Sequence, residues 1–182
     1  MKRFIGIFTA LLLPLAGNAQ LYIDTVKDVD AQIFIPKQRY ARAQQGMEIY
    51  DDLIFSIEDG GHVNVYDFRT ADPKPIAMFE LASSQKDNHA NTASFGIETK
   101  KGATYPLLYI SVGKPGSAID LTCFVESITR KGKKFSSELV QKIILDIDGW
   151  SEAGYVPVFG APSWMVDQKR GEMWVFSARK RT

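Results

Sequence analysis

Along most of the chain, apolar residues come in short runs separated by glycine, proline, aspartate and lysine, which is the punctuation of strands rather than of helices. Leu53-Ile54-Phe55-Ser56-Ile57, then Glu58-Asp59-Gly60-Gly61-His62, then Val63-Asn64-Val65-Tyr66-Asp67-Phe68 has the form of a hairpin. The paired glycines supply the positive φ that a tight turn demands. In the second arm Val63, Val65 and Asp67 alternate with Asn64, Tyr66 and Phe68, so one face is small and apolar and the other aromatic. Such a strand belongs between packed sheets. Pro73 and Pro75 cannot donate to a ladder and mark a loop, after which Ile76 to Leu81 predicts another strand. Glu138 to Asp146 reads two ways. Its Leu139, Val140, Ile143 and Ile144, with Ile147 beyond, fit a helical period, while the β-branched residues among them favour a strand.

The strands repeat in order. Leu53-Ile54-Phe55-Ser56-Ile57 matches Leu108-Tyr109-Ile110-Ser111-Val112, and Trp174-Val175-Phe176-Ser177 continues the series. With strands lettered A to D, the first unit has A at Gly46 to Tyr50, B at Leu53 to Ile57, C at Val63 to Phe68 and D at Ile76 to Leu81. The second has A at Thr92 to Ile97, B at Leu107 to Val112, C at Ile119 to Ser127 and D at Glu138 to Asp146, with long loops at Glu98 to Tyr105 and Ile128 to Ser136. A third begins at Ser163 to Asp167, turns through Gln168 to Gly171 and gives Glu172 to Ser177. The expected organisation is a leader at residues 1–19, an extension with one strand at 20–45, and repeat units at about 46–81, 92–147 and 162–182.

Four short strands per unit, the Val65-Tyr66-Asp67-Phe68-Arg69-Thr70 ending of strand C, and the Val166-Asp167 turn to Gly171 resemble the blades of a secreted β-propeller of the WD-repeat or quinoprotein-like kind. Tyr66-Asp67 stands where the WD-repeat pattern has Trp-Asp, and no Gly-His pair precedes strand A, so no subfamily is assigned. The resemblance implies an all-β fold of four-stranded antiparallel blades, about two and a half of them, as a partial or open propeller. A closed ring takes roughly four to eight blades. A truncated gene product, an open arc, and a half-ring completed by another chain follow as outcomes, the first favoured, with a plain sandwich or barrel as the alternative architecture. Ala31 to Pro36 offers a closing strand, and exposed blade edges invite self-association.

In an antiparallel blade the B–C and D–A loops emerge at one end and the A–B and C–D loops at the other. The first end collects Glu58, Asp59 and His62, then Asp87, Asn88, His89 and Asn91, then Trp150, Glu152 and Tyr155. Two readings stand side by side. Carboxylate, amide and imidazole groups at a loop face can hold a protein or carbohydrate ligand, with Trp150 stacking on a sugar. The same residue types also serve turns, because Asp, Asn and His bond their own backbone. In the enzymatic alternative, a divalent-metal-dependent lactonase or hydrolase, Glu58, Asp87, Asn88 and Asn91 hold calcium or another divalent cation and His62 or His89 moves protons. No nucleophile elbow, HExxH or Walker pattern occurs.

The second end is basic. Arg69, Lys74, Lys100, Lys101, Arg130, Lys131, Lys133, Lys134, Lys169 and Arg170 face mainly Asp51, Asp52 and Asp72. This end reads either as an adhesion surface for an anionic polymer or envelope, or as solvated loops that blunt strand edges.

Composition narrows the rest. A formal net charge of +1 gives no general reason for nucleic-acid binding. One cysteine, Cys123, excludes an internal disulfide and a Cys-rich zinc site, and its strand position predicts a buried thiol. Trp164 and Trp174 are expected to fill space between blades. Lys2 and Arg3, the apolar run Phe4 to Leu15 and Gly17-Asn18-Ala19 have the order of a secretory signal, with Gln20 where a lipid anchor would need cysteine. No later apolar run is long enough to span a bilayer, so the expectation is a periplasmic or extracellular, non-transmembrane binding or scaffold protein.

Overall fold

The computed structural model describes residues 40–70, 74–145, 147–154 and 159–178, all within the compact unit Ile35–Thr182. The expected leader and the Ala31 to Pro36 strand lie outside the described residues. The chain is all-β in architecture. A first sheet runs β1 (Gln44–Tyr50), β2 (Leu53–Glu58), β3 (His62–Asp67) and β4 (Ala77–Glu80) in that order. A second runs β5 (Thr92–Phe95), β6 (Leu108–Ser111), β7 (Thr122–Lys131) and β8 (Lys134–Ile144). After the short helix α1 (Ile147–Glu152), β9 (Phe159–Asp167) and β10 (Glu172–Ala178) pair as a two-stranded ribbon. Every pairing is antiparallel. Among the described residues the sheets do not close, which makes this an open, propeller-like arrangement of two and a half blades. No helix among the described residues is long and apolar enough to cross a membrane.

The sheets stack face to face. Phe55, Ile57, Val63, Val65, Phe79 and Leu81 of the first sheet and its following turn meet Phe95, Leu108, Ile110, Phe124, Ile128 and Phe135 of the second in one buried cluster. Its centre is aromatic. Phe55 meets Phe95 and Tyr105 edge-on at 5.2 Å in each case, and Phe135 stacks on Phe79 at 5.7 Å. The alternation expected in β3 holds: Val63 and Val65 face this core, while Asn64 and Tyr66, on the opposite face, are also buried.

Polar side chains join one sheet to the next. The buried Glu126 carboxylate on β7 accepts from the backbone N–H groups of Ala82 (3.1 Å) and Ser83 (2.8 Å) beyond β4, and from the Ser137 hydroxyl. Glu48 on β1 accepts from Phe95 N–H at 3.2 Å. Ser111 Oγ accepts from Trp164 N–H at 2.8 Å, Ser94 Oγ from Val166 N–H at 3.1 Å, and the Phe95 carbonyl from Gln168 Nε2 at 3.0 Å. These contacts fix direction. Gly46 lies against Ala90 and Thr92 while Tyr50 meets the Phe95 ring, and Thr92 bonds to Trp164 while Phe95 bonds to Gln168, so β1, β5 and β9 all run the same way. At Gly46 any side chain would strike the Ala90 carbonyl, which is why this close approach takes a glycine.

Three expectations need correction. Ile128 to Ser136 is not a loop: β7 and β8 continue to a two-residue tip at Gly132-Lys133. Ile128 and Phe135 point into the core there, and the lysines that suggested solvent sit only at the tip, where Gly132 takes a φ of 62°. Trp174 does not fill space between blades. It is 48% exposed, because it faces outward on β10 while Trp164 on β9 is buried against the second sheet. Trp150 belongs to α1 rather than to a loop, with Asp148 suited to the first turn and Gly154 at positive φ beyond the last. The ambiguous segment at Glu138 is strand, paired along β7.

Truncating the ring at the centre of the sheet contact, Phe55→Ala, is expected to cost about 4 kcal/mol. Chemical denaturation against an exposed control, Val140→Ala, checks this. Similar losses for the two variants would mean that the aromatic contact does not carry the fold.

Candidate functional site

The B–C turn of the first sheet and the loop leading into β5 form one structure. Gly60 and Gly61 take φ of 89° and 84°, and Gly60 N–H donates to the Asn88 carbonyl at 2.8 Å. The Gly60 carbonyl accepts from Ser84 Oγ at 2.7 Å, and the Gly61 carbonyl from Leu81 N–H at 2.9 Å. Two positive-φ residues in succession turn these backbone groups toward the loop, so the twin glycine is what makes the clamp possible.

Most of the expected site residues come together here, each with a partner. Glu58 is buried. Its Oε2 accepts from Arg42 N–H and its Oε1 from Asn64 Nδ2, both at 3.0 Å. Asn88 is also buried: its amide donates to Ser83 O and Oγ at 3.2 and 3.1 Å, and its oxygen accepts from Ala90 N–H at 2.9 Å. That bond holds Ala90 at a φ of 47°, which alanine adopts only when its surroundings impose it. Asn91 packs its side chain against Gly113 and donates its backbone N–H to the Ser111 carbonyl.

Charge lies at the rim. Asp87 bonds Lys114 at 2.8 Å, and this contact holds its carboxyl below the usual carboxylate range. His89 Nε2 stands 3.6 Å from Asp59 Oδ1, close enough for ion pairing when the imidazole is protonated but beyond a hydrogen bond. His62 Nδ1 lies 3.2 Å from Glu80 Oε1 without hydrogen-bond alignment, and its ring meets Tyr40 at 4.9 Å. Burial, then Glu80 and Glu58, raise the Tyr40 hydroxyl above its ordinary value. Both histidines thus border one turn, His62 as the register partner of Glu58.

The remaining expectations are scattered. The backbone of Trp150 is helical, and Tyr155 lies outside the described residues. Tyr40, Arg42, Glu80 and Lys114 complete the cluster without having been singled out from sequence, because each reaches it from a different segment. Among the described residues, no three His, Cys, Asp or Glu side chains are grouped to hold a metal ion. The oxygens of Glu58 and Asn88 are turned onto N–H groups of this chain, an arrangement that does not fit a cation. The Cys123 thiol is buried and pushed up to about 12 by that burial, which leaves it unreactive at neutral pH.

At the opposite end the basic residues divide. Arg69 pairs with Asp52 (2.9 Å) and Asp67 (2.7 Å), Lys100 with Glu138, and Arg170 with Asp167 (3.7 Å). Arg130 lies over the Phe135 ring and donates to the Gly132 carbonyl. Lys131, Lys133, Lys134 and Lys169 are exposed.

Compared with protein-family models and with curated proteins, the chain matches none.

Lys114→Met should move the Asp87 carboxyl up toward its ordinary value, read by carboxyl-carbon NMR titration. Because that pKa is depressed in the folded state, the stability it supplies is present above the ordinary carboxylate pKa of about 3.9 and lost as pH falls through the depressed value. The stability difference between variant and parent therefore shrinks in acid. An unmoved titration would show that the contact does not persist in solution.

Proposed function

We propose that the chain is an exported, non-catalytic binding or scaffold protein whose blades follow the design of WD-repeat and quinoprotein-like propellers. Its ligand is an extracytoplasmic protein or carbohydrate, held on the face built from the Glu58–His62 turn and the Asp87–Asn91 loop. The observation that carries this reading is the common direction of β1, β5 and β9, which gathers the B–C and D–A loops at one end. The order of Lys2-Arg3, the apolar run and Gly17-Asn18-Ala19 supports export.

The internal commitments of the polar groups favour binding over a metal-dependent lactonase or hydrolase. Glu58 and Asn88 hold the chain's own backbone, and Asp87 holds Lys114. Asp59, His62 and His89 sit at the rim, partly exposed, with charge and ring surface available to a ligand.

Cell fractionation should recover a chain beginning at Gln20 outside the cytoplasm. Calcium should leave its melting temperature unchanged, since only a ligand of the folded form raises it. On a glycan and peptide array, ligands should be lost when Asp59 and His89 are both changed to Ala. A calcium-dependent rise abolished by Asp87→Asn would favour the metalloenzyme instead, and a cytoplasmic, unprocessed chain would end the export reading.

A further inference from the structure

We propose that the end of the molecule opposite the ligand face docks on an anionic phospholipid surface. The inference rests on the fold alone and stands apart from the ligand proposed above. Because β1, β5 and β9 run in one direction and every pairing is antiparallel, five connections emerge together. These are Asp51-Asp52, the described residues 68–70 and 74–76 between β3 and β4, residues 96–107, Gly132-Lys133 and Gln168–Gly171.

Ion pairing neutralises part of this end and leaves more unpaired cations than unpaired acids, the exposed Asp51 and Glu98 being acids there that pair with no cation among the described residues. Arg69, Lys100 and Arg170 are satisfied by acids. Among the described residues, Lys101, Lys131, Lys133, Lys134 and Lys169 are exposed and no acid pairs with them. They come from three connections: the β5–β6 loop, the β7–β8 tip and the β9–β10 turn. The protein as a whole is almost neutral, at +1, so this concentration is local.

Apolar groups stand exposed at the same end. Ile97 is 59% exposed and sits against Gly171, in the turn that carries Lys169. Phe68 is 41% exposed at the end of β3, next to Arg69. Lysines alone would suit any polyanion. Lysines sharing one end with an exposed Phe and an exposed Ile suit a surface that offers phosphates outside and hydrocarbon just beneath.

Sedimentation of the chain as recovered from cells tests this, using phosphatidylcholine vesicles with and without phosphatidylglycerol. Binding is expected on the mixed vesicles only and should weaken with added salt. Charge removal at three sites, Lys131→Gln with Lys133→Gln and Lys134→Gln, is expected to weaken it about 100-fold, at roughly fivefold per lysine. Phe68→Ser with Ile97→Ser should also weaken it at unchanged charge. Equal retention on both kinds of vesicle, or unchanged binding of the triple variant, overturns the proposal. If inorganic polyphosphate binds equally well and the Phe68 and Ile97 changes have no effect, the surface recognises a soluble polyanion and the lipid assignment falls.

Discussion

The face-to-face contact between the first and second sheets is the constraint from which everything else follows. Phe55, Phe95, Tyr105 and Phe135 pack edge-on and stacked at its centre, with Val63, Val65, Leu108 and Ile110 around them. Burial of so much apolar surface is non-directional, however, and would tolerate several relative orientations of the sheets. The buried polar links choose among them. Glu126 accepts from two N–H groups beyond β4, Glu48 from one on β5, and Ser111 and Ser94 from two on β9, each donor being stranded if the sheets rotate or slide. Apolar packing supplies the stability and these bonds supply the register.

From that register comes the division of the molecule into two chemically different ends. At one, Gly60 and Gly61 clamp the Asn88 loop, and histidines and carboxylates border the clamp. At the other, three of the connections carry exposed lysines that no acid pairs with among the described residues, and two apolar side chains, Phe68 and Ile97, are exposed. The polar groups nearest the clamp, Glu58 and Asn88, are spent on architecture, and Asp59, His62 and His89 lie one layer outward.

The blade order was legible because each strand carries its own period and each turn its own glycine or proline. Gly60-Gly61, Gly132 and Gly171 all adopt the positive φ that their positions require. The misreadings have a common cause. At Ile128 to Ser136 a run of charge outweighed Ile128 and Phe135, which enter the core from either side of the tip, so a continuous ribbon resembled a loop. A strand position alone predicts that Trp164 and Trp174 both fill space between blades, yet the two lie on opposite faces of the ribbon. Co-location of Glu58, His62, Asp87, Asn88 and His89 could be read from strand order. The long-range links that hold one sheet to the next could not. Glu126 meets Ser83 across 43 positions and Trp164 meets Ser111 across 53, and no local pattern encodes which loops face one another.

Native-state hydrogen exchange tests the central claim most directly, by comparing Ile57 in β2 with Ile110 in β6 as denaturant is added. If the two sheets are one cooperative unit, both amides exchange through the same global opening, with opening free energies that agree within about 0.5 kcal/mol. Separate openings with distinct denaturant dependences would show that each sheet is stable without the other, contrary to the account given.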